Sequence, residues 1–428
     1  MPWFQKTGTL DRETILELVD QAADQALLRI CPNPRRILLL PPDITRAHSG
    51  AGWIAEAFYK RFSPHAEVYL MPTLGQHLPH TPEQNRWMFG SVPEERILVH
   101  DWRNAVRTIG EIPADYVREV SKGKADWSIP VSLSTQLLDG AWDLVINIGH
   151  VVPHEVLGFA NHNKNYFIGL GGKPMICASH MMAACCGIEN NLGRLVTPLR
   201  ACYNMAEARY LGGLPDFYFE VVMAYDSKGE LRHTGVFVGD DEETYLEAAR
   251  LSREQNITIV PPLKKVVAVM QGDEFHSTWV ANKAIYRTRM AMADGGELLI
   301  VAPGLKRFGE QSDVDDLIRR FGYSGTERVM GLWKKEPILQ DLTHGTAHLI
   351  HGSSEGRFRI TYAPGSLSKE EIESVCFGYA DLRETLARYN PATMKNGFNV
   401  MPDGEEVYYI STPSAGLWST REKLEARL

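Results

Sequence analysis

The side chains best suited to chemistry lie in three polar segments, each of which follows a short apolar run. The first segment holds a carboxylate, a hydroxyl and a guanidinium, at Asp43, Thr45 and Arg46. An arginine guanidinium is planar and can bind a carboxylate or a phosphate through two parallel hydrogen bonds. Asp43 or Thr45 could instead cap the helix that follows. The segment therefore predicts an anion-binding arginine with polar neighbours.

Histidines dominate the second and third segments. His77 closes the second segment, and the third ends at Lys164, with His180 further along the chain. The histidines of the third segment are His150, His154 and His162. An imidazole titrates near neutral pH, so it can take a proton in one direction of a reaction and return it in the other. These segments therefore predict acid–base chemistry, a metal site, or both.

A zinc site is one way to use the third segment. His150 and His154 are four residues apart and would share one face of a helix. Pro153 opposes that helix, because a proline pushes the preceding residue, Val152, into an extended conformation. A zinc-dependent hydrolase that uses His150, His154 and His162 stays open as an alternative.

Short apolar strands alternate with helical patterns along the chain, which predicts an α/β fold with mainly parallel sheets. The predicted strands are Ile37–Leu40, Glu67–Met71, Trp142–Ile148, Val266–Met270, Leu298–Ala302 and Val407–Ile410. The predicted helices are Leu10–Ile30, 50–62, 82–89, Glu242–Gln255 and Trp279–Asp294. The three polar segments follow the first three strands. Ligands of open α/β sheets bind at the carboxyl ends of strands, so a ligand is expected at these segments.

Two prolines, Pro261 and Pro262, interrupt the chain between two α/β blocks. We predict an N-terminal α/β domain over residues 1–258 and a C-terminal α/β domain over residues 259–400. The tail, 401–428, holds a predicted strand and could pack back on the N-terminal domain.

The composition argues against several classes of partner. The 428 residues carry a net charge of −8 at pH 7, which does not draw the protein to nucleic acid or to an anionic membrane. The longest apolar runs are too short to span a bilayer, and the N-terminus lacks the pattern of a signal peptide. The six cysteines have no framework spacing. We therefore expect a cytoplasmic protein with reduced thiols.

Taken together, the motifs resemble those of the nickel-dependent lactate racemase family, whose members use a nickel-pincer nucleotide. That family carries an Asp-x-Thr-Arg loop, a Gly-Thr-His loop, and a Pro-His-x-x-x-Gly-(Phe/Tyr)-Ser-Gly-Gly-x-Lys segment with a further histidine downstream. The matching stretches here are Asp43–Arg46, Gly75–His77, Pro153–Lys164 and His180. The α/β order and the length of the remaining chain are compatible with the family.

The resemblance implies a two-domain enzyme with its active site in the cleft between the domains. It implies that Lys164 joins the cofactor through a thioamide and that His180 ligates the nickel. His77 and His154 would stand on opposite sides of the substrate carbon and move protons, while hydride passes reversibly to the pyridinium ring. Arg46 would hold the substrate carboxylate.

The resemblance also extends to further binding residues. Asp43 and Thr45 would belong to the cofactor-binding loop. In the second domain, the family pattern Tyr-Gln-x-x-Lys is comparable to the stretch from Trp279 through Val280 to Lys283. Trp279 and Lys283 are therefore expected to bind the substrate.

The chain departs from the family pattern at several positions. The family's Ser-Gly-Gly is Ala160-Asn161-His162 here, and its Gly-Thr-His carries Gln76. Polar side chains at these positions, together with Trp279, would suit a longer, hydroxylated acid. We predict a racemase or epimerase that inverts the hydroxyl-bearing carbon of a 2-hydroxy acid. The substrate would be lactate-like or, in preference, a sugar acid such as an aldonate.

The resemblance implies two kinds of partner: a small hydroxy acid as the substrate, and the proteins that make and attach the cofactor. A non-catalytic protein that stores or delivers the nickel nucleotide stays open as a second alternative, beside the zinc hydrolase.

Overall fold

The computed structural model describes residues 1–226, 228–272 and 275–426. The chain forms two compact units. The first comprises Met1–Met182 and Asn191–Asn256, and the second comprises Ala183–Asn190 and the chain from Ile257 onward. Within the described part, no helix is both long enough and apolar enough to cross a bilayer.

Ten strands belong to the first unit. They are Phe4–Leu10 (β1), Arg36–Leu40 (β2), Glu67–Leu70 (β3), Val106–Ile112 (β4), Ile129–Ser134 (β5), Leu144–His150 (β6), Pro153–His154 (β7), Gly158–Phe159 (β8), Asp216–Tyr225 (β9) and Leu231–Gly239 (β10). Six of them form one sheet in the order β1-β10-β9-β6-β2-β3. In this sheet β9, β6, β2 and β3 run parallel to one another. Strand β10 runs antiparallel to both of its neighbours, β9 and β1. The predicted mixed α/β class with mainly parallel strands is confirmed.

The central strands of this sheet are apolar because both of their faces are covered. All seven residues of β6 are buried, and so are four of the five residues of β2. A strand buried on both faces needs a continuous apolar run rather than an alternating pattern. This is why the predicted strands Ile37–Leu40 and Trp142–Ile148 agree with β2 and β6 to within two residues. The predicted strand Glu67–Met71 agrees with the edge strand β3 to within one residue.

Helices cover the sheet of the first unit. They are Arg12–Arg29 (α1), Ala51–Phe62 (α2), Pro82–Phe89 (α3), Ala114–Val120 (α4), Thr135–Asp139 (α5), Lys173–Cys186 (α6), Pro198–Tyr210 (α7) and Glu242–Asn256 (α8). The bounds of α3 match the prediction because Thr81 and Gln84 form a capping box and Pro82 occupies the first turn. Helices α1 and α2 pack on the sheet through one apolar cluster that includes Ile15, Phe58 and Ile146.

The second unit is built on a sheet of its own. Its strands are Thr258–Ile259 (β11), Leu263–Val269 (β12), Met292–Ala302 (β13), Arg359–Pro364 (β14), Gly378–Tyr379 (β15), Gly397–Val400 (β16), Glu406–Ile410 (β17) and Trp418–Ser419 (β18). Six strands form the sheet in the order β15-β14-β13-β12-β17-β16. All neighbours in it are parallel except β16 and β17.

The helices of the second unit are mostly short. They are Thr278–Ala281 (α9), Lys283–Thr288 (α10), Ser312–Phe321 (α11), Thr326–Trp333 (α12), Pro337–Asp341 (α13), Thr343–His351 (α14), Lys369–Ser374 (α15), Leu382–Arg388 (α16) and Arg421–Glu425 (α17).

The tail was predicted wrongly. Residues 401–428 were expected to pack back on the N-terminal domain, but β17 lies inside the second sheet and pairs in parallel with β12. Four of the five residues of β17 are buried. The tail therefore completes the second unit, because its apolar strand fills a place beside the first strand of that sheet.

The predicted helix Trp279–Asp294 is also interrupted in the structure. Helix α9 ends at Ala281, and Asn282 lies between α9 and α10. The chain has already entered β13 at Met292. The apolar residues after Thr288 serve a buried strand, whose pattern over a few residues resembles that of a buried helix.

Candidate active site

The three polar segments come together at one edge of the first sheet. Strands β2, β3 and β6 are neighbours and run parallel, so their carboxyl ends lie side by side. Beyond the strands, Pro42 and Thr73 form a parallel bridge. The Gly75 N–H donates to the Gly169 carbonyl at 2.9 Å. These bonds connect the first segment to the second, and the second to the turn that follows Lys164.

His77 is held by a carboxylate. Nδ1 of His77 donates to Oδ2 of Asp43, and the other oxygen of Asp43 accepts from the Thr45 hydroxyl at 2.6 Å. A neutral imidazole that donates from Nδ1 carries its lone pair at Nε2. The side chain of His77 is 62% exposed. His77 is therefore presented as a base at Nε2.

Asp43 stays ionised although it is buried. Burial acts to raise the pKa of its carboxyl, but the hydrogen bonds from His77 and Thr45 and the charge of Arg46 outweigh burial and bring that pKa below its usual value. An ionised carboxylate can only accept, so the shared proton belongs to the imidazole. Asp43 makes no side-chain capping bond to the 3₁₀ turn Ile44–Ser49. The helix-cap interpretation of Asp43 is therefore wrong.

Arg46 lies in the same turn, and its charge reaches the other residues of the site. It helps to lower the pKa values of Asp43, Lys164 and His150. Coulombic effects weaken with distance, so these residues share one neighbourhood. The guanidinium is therefore positioned to hold a carboxylate at this edge of the sheet.

His154 lies in β7, which pairs with β8 in a two-stranded ribbon. The Val156 N–H donates to Nδ1 of His154 at 3.2 Å. A neutral imidazole that accepts at Nδ1 carries its proton at Nε2. His154 therefore presents an N–H group at Nε2, where His77 presents a lone pair.

Lys164 is half-buried at the start of the π-helical turn Asn165–Gly169. Burial, followed by the charge of Arg46, lowers the pKa of its amine to about 7, while Asp43 and Glu155 act in the opposite direction. Among the described residues, no hydrogen bond holds this amine. A lysine that is uncharged part of the time at neutral pH is a nucleophile.

His180 lies on α6, downstream of Lys164. Its Nδ1 donates to the Ile176 carbonyl, one helical turn earlier, at 2.8 Å. This bond sets the tautomer in which Nε2 carries the lone pair. Metal-binding histidines commonly use this arrangement, with the second nitrogen bonded to a backbone carbonyl.

Comparison with known families identifies the first unit. Residues 7–191 match the family model described as the lactate racemase N-terminal domain. In this stretch the chain is similar to the lactate racemase family. The matched stretch contains all three polar segments and His180.

Two solved structures share the fold over nearly the whole chain. A crystal structure of a protein from Thermotoga maritima matches with a TM-score of 0.75 at 23% identity, covering 97% of this chain and 100% of that chain. The lactate racemase apoprotein from Thermoanaerobacterium thermosaccharolyticum matches with a TM-score of 0.69 at 17% identity, covering 94% of this chain and 92% of that chain. At these identities the likeness shows the fold alone. Comparison with curated proteins gives no match.

The residues that replace the glycines of the lactate racemase pattern have left-handed backbone and buried side chains. Asn161 has a φ of 69° and His162 a φ of 58°, in a region that glycine adopts most readily. Nδ1 of His162 binds Oε1 of Glu220 at 3.1 Å, and Oδ1 of Asn161 accepts from Asn165 at 2.6 Å. Both side chains face the protein interior. They therefore give no support to a longer substrate, although the sequence suggested that they would.

The histidines of the zinc alternative serve three different purposes. His162 binds Glu220, His154 accepts a backbone N–H, and His150 packs against His48 with ring centroids 5.9 Å apart. In the described part of the chain, no group of three or more histidine, cysteine, aspartate or glutamate residues could hold a metal ion. The zinc hydrolase thus has no structural support.

The two candidates of the second unit lie on consecutive short helices. Trp279 is in α9 and Lys283 begins α10. Lys283 is exposed and Trp279 is half-buried. The Trp279 indole lies against the His348 imidazole, with ring centroids 4.3 Å apart.

Sequence reasoning missed the residues that hold the loop before Lys164. Arg200, on α7, is 1% exposed and donates to two backbone carbonyls of that loop. Glu220, on β9, binds His162. Arg200 lies in no motif. The sequence did contain a signal for Glu220, because Glu220 is the single charged residue inside the apolar run Phe217–Ala224.

Proposed function

We propose that this protein belongs to the lactate racemase family and is a racemase or epimerase that inverts the hydroxyl-bearing carbon of a 2-hydroxy acid. The opposite proton arrangement of His77 and His154 carries the proposal. Nε2 of His77 has the lone pair because Nδ1 donates to Asp43, and Nε2 of His154 has the proton because Nδ1 accepts from Val156. Inversion needs one group that takes a proton and one that returns it, and this pair supplies both.

The residues present fit the nickel-pincer nucleotide that the resemblance implies. The Lys164 amine has a pKa of about 7 and no hydrogen-bond partner among the described residues, as a lysine that forms a covalent link requires. Nε2 of His180 carries the lone pair that an imidazole offers to nickel. Lys164 and His180 would therefore hold the cofactor. When bound, this group would supply the hydride acceptor.

The side chains of the site would divide the remaining work. Arg46 would bind the substrate carboxylate. Nε2 of His77 would accept the hydroxyl proton, and Asp43 would stabilise the resulting imidazolium. Nε2 of His154 would donate a proton to the carbonyl oxygen as the substrate re-forms with the other configuration. His77 would then release its proton to solvent and His154 would take one up, so that both imidazoles are neutral again. In the reverse direction the same proton movements run backwards.

We extend the proposal to longer hydroxylated acids, such as aldonates, beside lactate-like ones. Gln76 supports this extension, because it directly precedes His77 and brings an amide to the site. We also propose a cytoplasmic location, since all six cysteines are free thiols. Proteins that make and attach the cofactor would be partners.

Isomerisation in deuterated water tests the function. Cofactor-loaded protein is incubated with single enantiomers or epimers of a panel of 2-hydroxy acids, and configuration and deuterium content are followed by NMR. Hydride transfer predicts inversion with little deuterium at the carbon. Rapid deuterium incorporation at the carbon would instead show enolate chemistry and refute this mechanism.

Single variants test the histidine pair. His77→Ala and His154→Ala should each lower turnover by about 10²–10⁴-fold, while intact-mass measurement still finds the cofactor on Lys164. His65→Ala, at an exposed histidine outside the site, is the matched control. Full activity in the His77→Ala/His154→Ala double variant would exclude the mechanism. Bound cofactor without inversion of any acid would identify a carrier instead.

A further inference from the structure

A buried ionisable pair that the proposed reaction does not use lies beside the lysine loop. His162 is 2% exposed and Glu220 is 0% exposed, and Nδ1 of His162 binds Oε1 of Glu220 at 3.1 Å. The other carboxylate oxygen has no hydrogen-bond partner in the described part of the chain. His162 is therefore the donor on which this buried carboxylate depends.

The imidazole of this pair is enclosed by aromatic rings. Tyr218 stacks on His162 with ring centroids 3.8 Å apart, and Tyr245 lies at 5.3 Å. A ring held on its faces and at Nδ1 has one orientation. The side chain of His162 therefore fixes the backbone to which it is attached.

That backbone makes an uncommon turn. Asn161 and His162 are consecutive residues in the left-handed region, with φ of 69° and 58°. The Asn147 side chain donates to the His162 carbonyl at 3.3 Å, and Arg200 donates to the Asn161 carbonyl at 3.4 Å. In the pattern of the family these positions are glycines, which reach such a conformation without help. In this chain, interior bonds hold the turn instead.

The turn leads directly to Lys164, whose two neighbours are anchored. Asn163 donates to Asn204 at 2.7 Å, and Asn165 donates to Asn147 at 2.7 Å. No hydrogen bond holds the Lys164 amine among the residues that the structure describes. The side chains of Asn163 and Asn165 therefore bond to interior residues, and within the described part of the chain the Lys164 side chain between them does not.

We infer that His162 and Glu220 are positioning residues for Lys164, and that their buried pair holds the left-handed turn which aims the amine at the group it binds. The inference rests on the role proposed for Lys164. It explains why this chain can carry a histidine where the family pattern has glycine: the partner that makes the histidine tolerable is Glu220, on another strand.

The reactivity of Lys164 reports its position. Burial and the charges of Arg46 and Arg200 lower the pKa of Lys164, while Asp43 and Glu155 act to raise it. When the turn relaxes, the amine gains water. Its pKa should then move back toward that of an ordinary lysine.

Acylation of the amine measures this change. The full chain, produced without the cofactor-making proteins, is treated with the N-hydroxysuccinimide ester of acetic acid between pH 6 and pH 9. Peptide mass spectrometry follows acetylation of Lys164, with Lys283 in the same digest as the exposed reference. In the unaltered protein, the Lys164 rate should reach half its maximum near pH 7.

The His162→Asn substitution distinguishes the effect of the His162–Glu220 pair from the effect of the backbone conformation. Asparagine tolerates the left-handed region, but it is too short to reach Glu220. The midpoint for Lys164 should rise by at least about one pH unit, which lowers its rate at pH 7 about fivefold, while Lys283 is unaffected. An unchanged midpoint and rate in a folded His162→Asn protein would overturn the inference.

Variants at Glu220 keep the test decisive if His162→Asn does not fold. Glu220→Ala removes the buried charge together with the acceptor, so it leaves no unpaired carboxylate, and it should shift Lys164 as His162→Asn does. Glu220→Gln keeps an acceptor for His162 and should restore the original midpoint. A merely structural pair would lower the melting temperature in both variants without moving the Lys164 midpoint, and that result would refute positioning. The readout is independent of isomerisation, so either proposal can fail alone.

Discussion

Two of the polar clusters built around a histidine are constructed in opposite ways. In the first unit, His77 is 62% exposed and bonds through one nitrogen, to Asp43. In the second unit, His348 is 6% exposed and bonds through both nitrogens, to the hydroxyls of Tyr286 and Tyr323 at 2.9 and 3.0 Å.

The second cluster allows a single order of protons. Thr278 donates its hydroxyl proton to the Phe308 carbonyl, so it must accept from Tyr323. Tyr323 therefore accepts from Nε2 of His348, and Nδ1 of His348 accepts from Tyr286. Burial lowers the pKa of His348 to about 3, so this imidazole stays neutral.

The contrast teaches that residue type does not decide the use of a histidine. His77 keeps one nitrogen for a ligand, and its carboxylate partner fixes which nitrogen that is. Both nitrogens of His348 form hydrogen bonds within the protein, and these bonds stabilise the helix that carries Trp279. Exposure and uncommitted atoms therefore distinguish a site from a core network.

The largest effect should come from replacing Lys164 of the first unit. Lys164→Ala should abolish the cofactor adduct and lower isomerisation by more than about 10³-fold, because the covalent link is lost. Its free energy of unfolding should not fall, since the amine makes no hydrogen bond there. Intact-mass, turnover and urea-unfolding measurements check this. Lys173→Ala, at an exposed lysine nearby, should retain both adduct and activity.

The next effect concerns the carboxylate behind His77. Asp43→Asn should lower turnover about 100-fold, because the imidazolium formed at His77 loses the charge that stabilises it. Cofactor attachment should persist, as shown by the mass of the protein. Turnover equal to that of the unaltered enzyme would show that Asp43 only orients the loop.

A matched pair of substitutions compares the two clusters directly. His348→Phe should lower the free energy of unfolding by about 2–4 kcal/mol, because the hydroxyls of Tyr286 and Tyr323 lose a buried partner. His77→Phe should change it by less than about 0.5 kcal/mol, as expected of an exposed side chain. Urea titrations measure both. Equal losses would contradict the distinction drawn between the clusters.

The last comparison concerns the pH dependence of the second cluster. The pKa of His348 is about 3 in the folded protein, against an ordinary histidine value of 6.5. Between pH 6.5 and pH 3, His348 is protonated in the unfolded chain but stays neutral in the folded protein. The stability that His348 contributes is therefore fully present above pH 6.5 and declines as the pH falls toward 3. The difference in unfolding free energy between the unaltered protein and His348→Phe should shrink over that window.

Much of the fold followed from local patterns, and the rest depended on distant partners. Strands β2 and β6 and helix α3 carry their own signals, namely buried apolar runs and a capping box. The antiparallel strands β1 and β10 went unpredicted. The place of β17 was predicted wrongly, because nothing in its own residues says that β12 is its neighbour.

The candidate site also combines properties that local sequence determines with properties that depend on distant partners. By itself, the sequence determined which side chains could do the chemistry, His77, His154 and Lys164 among them, because residue type and spacing are local properties. Only the tertiary structure decided which nitrogen of each histidine carries the proton and why the pKa of Lys164 is lowered. It also turned His162 from a substrate contact into an interior one. These outcomes depend on burial and on partners far along the chain, such as Glu220, which the folded protein alone brings within bonding distance.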